Sequence, residues 1–472
     1  MRHVTSSVLG LAAVGLLAGC PDRTISGVIP EQGRVEYKDI PQTINRNIDI
    51  LFVIDDSVSM ADKQANLAAN FPNFINVLNT IDGGLPDVHI GVVTSDMGTK
   101  MTQDSNANPV GTIGMGGCAN DGDGGRLQTF GAPVNGAFIS DIKQTDGTRT
   151  RNYTGSLEDA FSMMARGAGA TGCGFEQHLH AMRAALDNNP ANTGFLRPDA
   201  YLAVIFIADE DDCTMAKKEI LGPENPTLGP QQSFRCTRFG VTCQQGGASP
   251  DAMNVVGDKS MCGPNESSQY MESVQSYVDF LKGLKDDPSK VIVAGIMGTT
   301  EPFRVDNLPA PGGGAPIPTL VQSCAYQGAM GEEKAYPPIR LKWFLDQFPQ
   351  RNTFTTICQQ NLQDGLVLIA ELLKSVIGNP CLEGKLADVD PETPGPQYDC
   401  SVSDVQRFGQ EDQIETIVPQ CNSAISNKPC WRIDTDPDKC VNSPNNHIII
   451  FERDETPPPD TRSIVYCVTE AE

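Results

Sequence analysis

The sequence predicts an α/β fold with an open, mainly parallel central sheet flanked by helices and interrupted by long disulfide-stapled insertions. Three observations carry this. Val- and Ile-rich runs at 48–54, 89–94, 201–208 and 290–297 alternate poorly between apolar and polar, as central strands covered on both faces do. Segments of helical periodicity at 60–80, 157–165, 176–188, 270–284 and 362–377 lie between or after them. The connections at 98–154, 213–269 and 298–337 are rich in Gly, Pro, Asn and Ser, and most of the cysteines of this region fall at or within them.

In chain order, Arg2 and His3 precede an apolar segment, 8–18, too short to span a bilayer. It reads as an export signal that closes at Leu17-Ala18-Gly19-Cys20. These four residues resemble a bacterial lipoprotein box, which implies that Cys20 becomes a lipidated N-terminus and residues 1–20 are the signal. Pro21 stands where an aspartate would, by that resemblance, favour retention at an inner membrane, so the expected location is the outer membrane or cell surface. No later stretch is apolar enough to span. Residues 21–43, polar and broken by Gly27, Pro30, Gly33 and Pro41, are expected to be a flexible tether. The sheet domain is expected over 44–380, with a fifth short strand at 353–357. Beyond it, 381–472 is either a small disulfide-held module or a tail packed on the sheet domain, and only 447–451 resembles a strand.

The formal net charge is −24, which repels phosphates and sets nucleic acid and anionic lipid aside as partners. Of 15 cysteines, Cys20 is the expected anchor. Eight lie from Cys118 to Cys358 and six from Cys381 to Cys467. Two even sets without any CxxC pair, beside only five histidines, point to local disulfides rather than zinc or iron–sulfur ligation. The pairing is not readable from spacing.

Chemistry concentrates at the strand ends. Asp55-Asp56-Ser57-Val58-Ser59 follows a buried strand and precedes a helix, the place where ligands collect in an open α/β sheet. One carboxylate and two hydroxyls from a tight turn suit a hard divalent cation. Ser57 and Ser59 could instead cap the helix. Asp209 closes another apolar run and opens the dense set Asp209-Glu210-Asp211-Asp212. Asn120-Asp121-Gly122-Asp123 could form a further calcium loop through Asp121 and Asp123, although it lacks the twelfth-position glutamate of an EF-hand. His178 and His180, two apart on a helix, are expected at the surface or an interface. No nucleophile elbow, phosphate loop or zinc-protease motif occurs, so no enzymatic activity is expected.

The stretch Phe52-Val53-Ile54-Asp55-Asp56-Ser57-Val58-Ser59-Met60 resembles the metal-ion-dependent adhesion site of a von Willebrand factor type A domain, as a secreted bacterial lipoprotein would carry it. The resemblance implies a Mg2+ or Ca2+ site, with Mn2+ as a further fit, held by Asp55, Ser57, Ser59, Asp209 and Thr171 of the 168–175 loop. It further implies that a protein partner offers a carboxylate to the ion. Two other functions remain open: an envelope protein whose ion only stabilises the loops, and a hydrolase with dispersed groups such as Asp209 and His178. The hydrolase requires a histidine close to the cradle.

Overall fold

The computed structural model describes residues 34–41, 45–81, 84–100, 109–112, 117–310, 314–329, 331–378, 380–410, 412–421, 428–437, 440, 443–455, 457–458 and 461–470. Cys20 and the expected signal lie outside them.

A mixed seven-stranded sheet organises the larger part. Its order is Asn352–Thr356, Val291–Met297, Tyr201–Ile207, Asn47–Ile54, Asp87–Thr94, Ile139–Lys143 and Arg149–Arg151. The first five pair in parallel and the last two antiparallel. The strands at 139–143 and 149–151 fall inside a stretch expected to be loop. Their charged sequences, ISDIK and RTR, hide the signal, because an edge ribbon need bury only one face.

The central strands are buried on both faces, and alternate residues serve two cores. Ile48, Ile50, Phe52 and Ile54 pack against helices Ala61–Asn79, Leu157–Gly167 and Gln363–Gly378. Phe52 meets Phe71, Phe74 and Phe161 there. Leu51 and Val53 face the opposite core with His178–Leu186, Val274–Lys282 and Ile339–Asp346. The last of these helices was not expected, since its eight residues carry Arg340 and Lys342 among the apolar positions. Arg340 is nonetheless fully buried, held by Asp212 and the carbonyls of Gly240 and Glu272.

The insertions are not coreless. Cys118, Cys173, Cys213 and Cys236 sit in an apolar cluster with Phe175, Ile220, Leu221, Phe239 and Met271. Disulfides therefore supplement small cores where covalent stapling alone was expected. Bridges join Cys118–Cys173, Cys213–Cys236, Cys243–Cys262 and Cys324–Cys358 in the first set. Cys381–Cys440, Cys400–Cys467 and Cys421–Cys430 form the second, and no bridge crosses between sets. Seven disulfides fit a compartment outside the reducing cytosol. Among the described residues no helix is long and apolar enough to cross a membrane.

The expected tether is corrected at its end. Arg34–Pro41 is a strand, paired antiparallel with Arg462–Thr469 along its whole length. Its sequence, RVEYKDIP, carries little apolar signal of its own, because its pairing comes from a strand near the far end of the chain. Cys400–Gln406 and Ile414–Ile417 complete this four-stranded sheet. With the hairpin Cys430–Thr435 and His447–Glu452 it encloses its own core of Ile40, Leu382, Val402, Trp431, Ile449 and Val465. The C-terminal region thus contains far more strand than 447–451.

Candidate functional site

The turn after Asn47–Ile54 is built by its neighbours. Asp55 N–H donates to Ile207 O at 2.9 Å, so the 47–54 and 201–207 strands end side by side and bring Asp55 and Asp209 to one crevice. Asp55 Oδ1 accepts from Ser57 N–H at 2.8 Å, which closes the turn. The Ser57 and Ser59 hydroxyls lie 3.1 Å apart. Neither serves as a cap: the turn Val58–Met60 and the helix Ala61–Asn79 have no side-chain cap hydrogen bond. Gln64 Nε2 fastens the turn from the helix, donating to Asp55 O at 2.8 Å and to Gly169 O at 2.5 Å.

Asp55 and Asp209 are both fully buried. Asp55 Oδ2 and both Asp209 carboxylate oxygens lack a hydrogen-bond donor. An unneutralised buried carboxylate is costly, so such atoms call for a positive partner. Two side chains supply part of it, and the first, Lys63, was missed by the sequence reading. Lys63 Nζ lies 3.0 Å from Asp209 Oδ2, an ion contact without hydrogen-bond geometry. The same ammonium donates to Ser59 O and to Glu333 Oε2, each at 2.9 Å. The signal for Lys63 was its position four residues after Ser59, one helical turn below the acidic turn.

His178 is the second. Expected at a surface, it is fully buried, with Nε2 3.6 Å from Asp55 Oδ2, and His180 is buried too. The Phe175–His178 segment packs inward because Phe175 enters the cystine-rich core. Burial lowers the proton affinity of the His178 ring, but Asp55 outweighs it and holds the ring above its ordinary value. Burial likewise raises Asp55, while His178 and Ser57 bring its carboxyl below the ordinary range.

Burial, Asp55 and the partial relief of Lys63 leave Asp209 raised to about 6. Burial followed by Asp209 and Asp55 raises Glu210 to about 8. Glu176 is pushed well above its usual range by burial, then by Glu210, Asp55 and Asp209. It too was missed. The loop that precedes the 178–186 helix delivers Glu176 into this field, while Thr171 on the same loop is exposed, as Ser59 is. The reason is local: Gly172 N–H donates to Asp56 O at 2.7 Å and Cys173 is bonded to Cys118, which turns the loop at residue 172.

Asp121 and Asp123 do not converge on one point. Asp121 is exposed and pairs with Lys100 at 2.9 Å, whereas Asp123 turns inward and accepts from Thr94 Oγ1 at 2.5 Å. Asp123 joins Asp96 and Asp55 in raising the buried Asp56 to about 9, after burial itself. Of the remaining acids, Asp211 accepts from the Arg340 and Leu341 N–H groups and Asp212 pairs with Arg340 at 3.1 Å, so neither simply faces water. Among the described residues, the only trio of His, Cys, Asp or Glu side chains with mutually close ligand atoms is Cys421, Cys430 and Glu452, whose two sulfurs are joined to each other.

No family model and no curated protein matches the chain. Among solved structures it is similar to the pilus adhesin RrgA from Streptococcus pneumoniae, with 12% identity and a TM-score of 0.23 over 93% of this chain. The chain spans 58% of that protein's length, and a likeness this distant bears on neither mechanism nor partner.

Proposed function

We propose that residues 44–380 are a von Willebrand factor type A-like domain of an exported, Cys20-anchored envelope protein that captures a protein partner through a divalent cation. The observation that carries the reading is the set of orphaned oxygens: Asp55 Oδ2 and Asp209 Oδ1, fully buried, beside two serine hydroxyls unspent on capping. The donor set is all oxygen, as Mg2+ or Ca2+ prefers, with Mn2+ a lesser fit. Asp55, Ser57, Ser59 and Asp209 would hold the ion. A bound ion there supplies residual positive charge to a carboxylate from outside, which gives recognition without chemistry.

The test is capture from an envelope extract by the purified protein in Mg2+, Ca2+ or chelator, with Asp55→Ala as control. A partner retained with metal and lost with chelator or the substitution supports capture. Metal uptake in calorimetry with an unchanged set of bound species would leave the ion a structural role only. The anchor is tested separately, by the loss of acyl-chain mass expected in Cys20→Ser.

One observation favours a second reading, a hydrolase: the histidine it requires lies against Asp55. His178 has no exposed surface, however, which denies a substrate contact with it in this conformation. Metal-dependent hydrolysis of ester or phosphoester substrates that disappears in His178→Gln would restore that reading.

A further inference from the structure

Beside the cradle lies a partly open cavity of about 80 Å³, separate from the serine turn. One wall carries Glu176 and Glu210, and the insertions supply the rest through Ser233, Phe234, Leu320 and Tyr336. Glu176 is only 2% exposed, and no other residue's donor reaches its carboxylate among the described residues. Glu210 is half-buried. Asp211, also on the wall, is already spent on the backbone of Arg340 and Leu341. No lysine, arginine or histidine lines the cavity. Two acidic side chains therefore face a partly open space lined by no basic group, and a cation that enters is the partner against which they can ionise.

The remaining lining selects the kind of cation. Phe234, Leu320 and the Cys213–Cys236 bridge present apolar surface that suits the methylene stem of a long side chain. The Tyr336 ring adds a face on which a cationic head can rest. Gln232 and Thr319, which could have served a metal ion, are bonded to one another and to Pro318 O. We infer that this cavity is a binding pocket for the basic side chain, lysyl or arginyl, of a partner polypeptide, with Glu176 and Glu210 as its acidic floor. The pocket goes beyond the proposed cation site and does not depend on it.

The test titrates the full chain with N-acetyl-lysinamide and N-acetyl-argininamide, against neutral N-acetyl-norleucinamide, in excess chelator and again in Mg2+. A lysine-containing peptide is compared with free butylamine to separate a side chain from a small amine. The cationic probes are expected to bind in chelator, the norleucine probe not, and Glu176→Gln with Glu210→Gln to weaken binding by about tenfold or more. Glutamine is nearly isosteric with the protonated acid that burial favours at both positions, so the variants are expected to fold. Thr319→Trp, which fills the space and keeps both carboxylates, should also abolish binding. Equal affinity for the neutral probe, or undiminished binding in both the glutamine pair and Thr319→Trp, overturns the pocket. Tighter binding of butylamine than of the peptide overturns the polypeptide partner. Loss of Mg2+ uptake in Glu176→Gln with amine binding intact would place Glu176 in the ion's shell and overturn its role here. Failure of Mg2+ uptake in Asp55→Ala bears on the cation site alone.

Discussion

Lys63 is the residue on which the cradle turns. Its ammonium balances Asp209 from the helix, and Glu333 and Ser59 O hold it there. A divalent ion at Asp55 and Asp209 would feel this charge as a competitor, since like charges a few ångströms apart repel by about 4 kcal/mol even at an effective dielectric of 20. Lys63→Met is therefore expected to raise Mg2+ affinity by about tenfold or more in calorimetry. The same substitution should destabilise the metal-free chain, because Asp209 loses its buried counter-charge. Weaker Mg2+ binding in the variant would show instead that Lys63 positions the site. Asp55, Ser57, Ser59 and Asp209 were all legible as strand-end residues. Lys63 and Glu176 were not, because each reaches the crevice from a helix or loop whose sequence carries no strand-end marker, and His178 was named only within the hydrolase reading, its burial unforeseen.

At the scale of elements, the 169–177 loop decides which of its side chains meets the cradle. Gly172 is the pivot: a Cβ there would stand 2.3 Å from the Asp56 carboxyl. Asp56 is short, buried and tied to Ser95, so it has little room to yield. Gly172→Ala should cost about 1–3 kcal/mol by urea denaturation. It should also weaken metal binding, as the loop moves from the turn. An unchanged denaturation midpoint would show that Asp56 can rotate away. The helices at 61–79 and 363–378 were readable to within a few residues because their apolar stripe repeats over four turns or more. The 339–346 helix and the 139–151 ribbon were not, being short and paired through contacts distant in sequence.

Across the whole molecule, the C-terminal sheet is joined to the larger one by charge. Asp39 on the Arg34–Pro41 strand accepts from Arg462 at 2.6 Å and from Arg351, and all three are buried. Arg462 also reaches Ser289 Oγ at 2.9 Å. Asp39→Asn leaves two buried guanidinium groups without their carboxylate and should cost about 3–5 kcal/mol. A loss of under about 1 kcal/mol would mean that water replaces the carboxylate at this junction.

The acids impose a pH dependence of defined sign. Asp56 at about 9 and Glu210 at about 8 hold protons in the folded chain that the unfolded chain has released by about pH 5. The native state then binds more protons than the unfolded one, so stability falls as pH rises through this window. His178, raised by Asp55, adds the same sign. His89, lowered to about 4 by burial, opposes it below about pH 6.5, and Lys285, lowered to about 8 by burial, opposes it above about pH 8. Between those limits, in chelator, denaturation midpoints should fall steadily, and saturating Mg2+ should reduce the slope. A flat or rising midpoint would mean that these carboxylates are already neutralised by another cation.

The sequence by itself determined the alternation of strand and helix, the division of the cysteines into two closed sets, and the crevice to which Asp55 and Asp209 belong. These follow from local periodicity, parity and strand ends, which neighbouring residues encode. Only the tertiary structure decided that residues 34–41 close the C-terminal sheet, that Glu176 enters the acidic field, and that Lys63 and His178 sit against the two aspartates. Those outcomes depend on contacts between segments far apart in the chain, where packing and the cost of burying charge select the partner.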